Sequence, residues 1–117
     1  MNDLAKIAET LEQFATKRDW NQFHSPKNLS MALSVEVAEL VEEFQWLTEK
    51  QSAHLSPDKL AKVKNEIADV FNYLIRLSSK LNIDLISAAN DKILINDQKY
   101  PVDKAKGNAK KYTELMD

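Results

Sequence analysis

SPDKLAKVKNEIADVFNYLIRLSSKL, residues 56–81, is the stretch that decides the fold. Leu60, Val63, Ile67, Val70, Phe71, Leu74 and Leu77 recur at i, i+3, i+4, i+7, the spacing of one helical face. Ser56 before Pro57 supplies a cap oxygen and a first-turn residue with φ already set for the helix. The pattern predicts a helix over about 57–81 with those residues on its buried side.

The same grammar recurs on either side. Ser25-Pro26 opens a second predicted helix, about 26–47, carrying Leu29, Leu33, Val37, Leu40, Val41, Phe44 and Leu47. Leu4, Ile7, Ala8, Leu11, Phe14 and Ala15 predict a helix over about 3–18, capped by Asn2 or Asp3. Asp84 caps a fourth, about 85–95. Residues 19–27, DWNQFHSPK, form an aromatic-rich loop, and 48–56 a polar one. A basic C-terminal tail follows, with a short helical turn expected after Pro101. With one glycine and three prolines there are few breakers, so the expected fold is an all-α four-helix bundle forming a single domain, 1–117.

Composition removes many chemistries. In 117 residues, 44% are hydrophobic and 29% charged, a globular balance. The formal net charge of −2 offers a polyanion little, so no nucleic-acid partner is expected. Zero cysteines exclude disulfides, thiolate metal sites and a thiol nucleophile. His24 and His54 are far apart and lack a zinc-binding spacing. Gly107 alone cannot build a glycine-rich phosphate loop. No stretch approaches a membrane span, and the start lacks the form of a signal peptide, so a reducing cytoplasm and no membrane partner are expected.

Chemistry gathers on two helices. Glu36-x-x-Glu39 and Glu66-x-x-Asp69 each place two carboxylates on one helical face, beside apolar stripes. Glu43 continues the first line by one turn. If the two helices pack antiparallel through the stripes, the four acids converge. Two carboxylates about 4 Å apart repel by about 4 kcal/mol at an effective dielectric of about 20, so four need a cation to stay ionised. Oxygen-only ligands select Mg²⁺ first and Mn²⁺ second. Acids at this spacing are also common on solvated helix faces, and a single such pair carries little. Carboxylate-held Mg²⁺ commonly serves phosphate chemistry, and a metal-activated water is a nucleophile this composition still allows.

Trp20, Phe23, His24, Trp46 and Tyr73 either wall a slot for a flat heterocycle beside the acids or plug the end of the bundle. Lys99, Lys104, Lys106, Lys110 and Lys111 either neutralise phosphates or form a solvated face.

The ordered series RDWNQFH (18–24), Pro26-Lys27-Asn28-Leu29, Glu36-x-x-Glu39-Leu40-x-Glu42-x-Phe44-Gln45-Trp46, Glu66-x-x-Asp69-Val70-x-x-Tyr73-Leu74, Lys92-Ile93 with Asn96, Lys99-Tyr100-Pro101 and Lys110-Lys111-Tyr112 resembles the MazG-like nucleoside triphosphate pyrophosphohydrolases, in particular the small branch that includes dCTP pyrophosphatases. The resemblance runs from about residue 11 to 115. It implies an all-α dimer of dimers that cleaves a (deoxy)nucleoside triphosphate between the α- and β-phosphates. It implies Mg²⁺ on Glu36, Glu39, Glu66 and Asp69; the mechanism expected from this is attack at the α-phosphorus by a metal-held water, with Glu39 chosen as the group that orients or deprotonates it. It assigns nucleotide contacts to Trp20, Asn21, Gln22, Phe23, His24, Trp46 and Tyr73, and Lys92, Asn96 and Lys99 are expected to add to them. A base-contacting histidine of some relatives is Leu11 here. The implied role is the clearing of unwanted nucleotides. A phosphoribosyl-ATP pyrophosphohydrolase-like enzyme and a non-enzymatic helical interaction module are the competing readings. The wide apolar arcs of the second and third helices (Val37, Val41, Ile67, Phe71, Ile75) independently call for a homo-oligomer, with a tetramer expected.

Overall fold

Every long helix starts on the side chain its sequence nominates. Asn2 accepts a hydrogen bond from the Ala5 N–H, Ser25 from Asn28, Ser56 from Lys59 and Asp84 from Ser87. The helices are α1 (Asp3–Lys17), α2 (Pro26–Glu42), α3 (Glu49–Ser52), α4 (Pro57–Lys80), α5 (Leu85–Lys99) and α6 (Val102–Ala105), with single 3₁₀ turns at Asn21–Phe23 and Tyr112–Leu115. This computed structural model describes residues 2–115 apart from the Tyr112 side chain, and no strand occurs among them.

Two helices stop in the same way. Asp19 (φ 55°) and Asn82 (φ 54°) take the left-handed conformation just past α1 and α4. The Trp20 N–H then bonds the Ala15 carbonyl, and the Ile83 N–H the Ser78 carbonyl, which satisfies carbonyls that a helix end leaves open. Short polar side chains tolerate this conformation better than other non-glycine residues.

The chain divides into two compact units, Met1–Ile83 and Asp84–Asp117. In the first, α4 packs against both α1 and α2. Glu43 pairs with Lys59 at 2.7 Å, and Glu36 lies beside Glu66, so α2 and α4 run antiparallel. Ala15, Leu29, Val63 and Ile75 are the buried apolar residues here. The second unit holds α5 and α6. Pro101 ends α5, because a residue before proline is pushed out of the helical region, and Tyr100 has ψ 67°.

The structure corrects several expectations. The second helix ends at Glu42 rather than at 47, and residues 43–47 form turns and a bend, so Phe44 and Leu47 leave the stripe that they continue in sequence. The polar loop 48–56 contains α3, held by a reciprocal cap between Thr48 and Gln51. The fourth long helix runs four residues past 95. Leu60, Ile67 and Phe71, placed on the buried side of the helix, are 56%, 53% and 40% exposed, which for Ile67 and Phe71 follows their other reading as outlying apolar residues. Ile75, read as an outlying apolar residue, is buried. The arc of α4 is wider than α1 and α2 together cover.

Candidate active site

Antiparallel packing of α2 on α4 brings Glu36, Glu39 and Glu66 together, with one carboxylate oxygen of each within 4.8 Å of the others. Oε2 of Glu36 and Oε2 of Glu66 are buried and have no hydrogen-bond partner among the described residues. Burial, a hydrogen bond with Glu39 and the charges of Glu39, Asp69 and Glu66 push the Glu36 carboxyl up to about 7. Burial first, then the charge of Glu39, raises Glu66 as well. Asp69 stands outside this tight trio, but its charge acts on both. Glu43 pairs with Lys59, and its charge still adds to the rise at Glu66. Orphaned buried carboxylate oxygens converging from two rigid helices are hard donors short of a cation, which fits Mg²⁺.

A cavity of about 370 Å³ opens beside the acids. Its walls are Leu11, Phe14 and Ala15 of α1, Trp20 and His24 of the following loop, and Asp69, Asn72, Tyr73 and Arg76 of α4. The volume suits one small flat ligand. Trp20 meets Phe14 edge-on with centroids 5.6 Å apart and lies 6.2 Å from the His24 ring. Arg18 stacks over the Phe14 ring, 3.5 Å from its centroid.

Arg76 holds the loop in place. Only 4% exposed, it donates from Nη1 to Glu12, from Nη2 to Asn21 Oδ1, and from Nε to His24 Nδ1 at 3.2 Å. Lys80, one turn on, donates to the same Asn21 oxygen at 3.0 Å. The guanidinium hydrogen bond holds Glu12 below the usual carboxylate range. Desolvation first, then the charges of Arg76 and Lys80, lowers His24, so it is neutral at neutral pH.

The other expected contacts are dispersed. Asn21 belongs to the Arg76 network, and Gln22 is tied to Asp19 at 3.0 Å. Phe23 is 58% and Trp46 87% exposed, and neither lines the cavity. Lys92, Asn96 and Lys99 share one face of α5 in the second unit, with Lys92 and Asn96 exposed. Sequence reasoning missed Arg76, Glu12, Phe14 and Asn72. The available signal for Arg76 was a lone cation within the apolar run of residues 73–77.

The MazG-like family model matches residues 31–115, a span that includes all four acids. The chain belongs to the MazG-like family. It is 43% identical over 114 residues to dCTP pyrophosphatase 1 of Homo sapiens and 42% to that of Mus musculus, each match covering 96% of this chain and 67% of the relative. The crystal structure of a pyrophosphatase from Archaeoglobus fulgidus superposes with a TM-score of 0.81 at 35% identity, over 86% of this chain and 94% of that one. This MazG-like protein is thus a nucleoside triphosphate pyrophosphohydrolase.

Proposed function

We propose that the protein hydrolyses a (deoxy)nucleoside triphosphate, with dCTP-like nucleotides first, to the monophosphate and pyrophosphate in a Mg²⁺-dependent reaction that clears unwanted nucleotides. One observation carries this reading. Asp69 lines the aromatic cavity, and its charge also reaches Glu36 and Glu66. A ligand with its base in the cavity therefore has its phosphates at the acids.

Glu36, Glu39, Glu66 and Asp69 would hold Mg²⁺, which offsets anionic repulsion and polarises a phosphoryl oxygen. Phe14, Trp20 and Tyr73 enclose the base and exclude water from it. Glu39, the exposed member of the trio, takes a proton from the attacking water. The water oxygen bonds to the α-phosphorus, the bridge to the β-phosphorus breaks, and pyrophosphate leaves. Phe23 and Trp46 of the first unit complete the substrate contacts.

The active form is a homo-oligomer, a dimer of dimers, acting in the cytoplasm, and the chain is one functional domain. Val37, Val41, Ile67 and Phe71 are 40–53% exposed on α2 and α4, apolar surface that a second copy would cover. No described helix is long and apolar enough to cross a membrane. The test is a panel of canonical and modified nucleotides with Mg²⁺, assayed for products. Pyrophosphate plus monophosphate is expected, and orthophosphate plus diphosphate as sole products would overturn attack at the α-phosphorus.

A further inference from the structure

The Arg76 network has a consequence for recognition as well as for folding. Arginine has only donors and never gives up its proton. Its Nε–H points at His24 Nδ1, so Nδ1 must offer a lone pair. A neutral His24 then carries its one ring proton on Nε2. Nε2 has no protein partner among the described residues, and His24 lines the cavity. The cavity wall therefore presents a fixed donor.

We infer that Arg76 is a specificity-positioning residue, which locks His24 as an Nε2–H donor so that the cavity favours a base offering a ring-nitrogen acceptor. This rests on the proposed function, since it needs the base to occupy this cavity. Cytosine and uracil make the relevant contrast. They have the same ring size, but N3 of cytosine is an acceptor and N3 of uracil carries a hydrogen. Against a locked donor, uracil leaves two donors facing each other without partners, and a missing partner costs more than a good one gains.

The lock is stiff because three elements share it. Glu12 anchors the guanidinium to α1, Asn21 and His24 anchor it to the loop, and its own backbone lies near the C-terminal end of α4, four residues before Lys80. A lysine at 76 keeps a charge for Glu12 but has no Nε–H fixed in a planar fork. His24 is then free to hold its proton on either nitrogen. Both a donor and an acceptor then become available, and the cavity separates the two bases less sharply.

The test joins ring-nitrogen NMR of the histidines with kinetics on dCTP and dUTP. In the wild type, His24 is expected as the Nε2–H tautomer near neutral pH, with kcat/KM favouring dCTP. Arg76→Lys should mix the tautomers and reduce that preference about tenfold, through KM more than kcat. The double variant Glu12→Gln/Arg76→Met removes both charges together, leaves no unpaired buried ion, and should show the same two effects. An Nδ1–H or doubly protonated His24 in the wild type overturns the inference, as does an unchanged dCTP/dUTP ratio in a folded variant with mixed tautomers. If the wild type hydrolyses no triphosphate, the proposed function fails, and the NMR still decides the tautomer.

Discussion

Glu36 should destabilise the metal-free protein, and replacing it should reveal by how much. A rise from 4.5 to about 7 in the folded state corresponds, at about 1.4 kcal/mol per tenfold, to ~3 kcal/mol. Solvent and counter-ions on the open side of the cluster trim this to ~1–2 kcal/mol. Below the unfolded value of 4.5 the carboxyl is protonated in both states and costs nothing. Between 4.5 and about 7 the folded state binds the extra proton, so metal-free stability falls as pH rises through that window and then levels off. Glu36→Gln removes this term. In EDTA at about pH 8 the variant should melt ~4–10 °C above the wild type, and at about pH 4 the two should converge. Adding Mg²⁺ should reverse the order, because the wild type gains binding energy that the variant largely lacks. Thermal melts by circular dichroism across pH, with and without Mg²⁺, measure all of this, and turnover should be abolished in the variant. A variant less stable than the wild type at about pH 8 in EDTA would refute the strained-cluster argument.

Three further outcomes are expected. Trp46→Ala, at a residue 87% exposed, should change stability by less than ~0.5 kcal/mol yet weaken nucleotide binding, and calorimetry on the folded variant checks both. Asn82→Gly should stabilise by up to about 1 kcal/mol, since φ 54° costs glycine nothing, and a lower denaturation midpoint would count against the capping account. Light scattering on dilute protein should give a multiple of 13.4 kDa, and a stable active species at that mass would remove the oligomer.

Much of the fold could be read from local chemistry. Asn2, Ser25, Ser56 and Asp84 name the helix starts, because a cap is a contact within four residues. Ends were harder. Past Glu42 neither glycine nor proline marks the stop, and Phe44 and Leu47 keep the apolar period while the backbone turns away. Thr48 and Gln51 did spell the start of α3, and Pro101 the end of α5, in signals the polarity of their surroundings masked. For the site, the carboxylate trio followed from spacing, since both pairs are local to one helix each. The Arg76 network did not, because its partners lie 52 to 64 residues away and periodicity carries no information across that distance.

Glu66, Asp69, Tyr73 and Arg76 sit on one stripe of α4, and a helix advances about 1.5 Å and turns about 100° per residue. The end of the cleft proposed to react and the end proposed to read the base are thus joined by about 15 Å of continuous backbone hydrogen bonding with no hinge in it. Inserting one residue between 69 and 73 would swing the whole reading end a quarter-turn away from the acids. New substrate preferences can therefore arise in this scaffold by exchanging side chains along the stripe, whereas gains and losses of length must fall in the connections, such as 43–56, where the register of α4 is untouched.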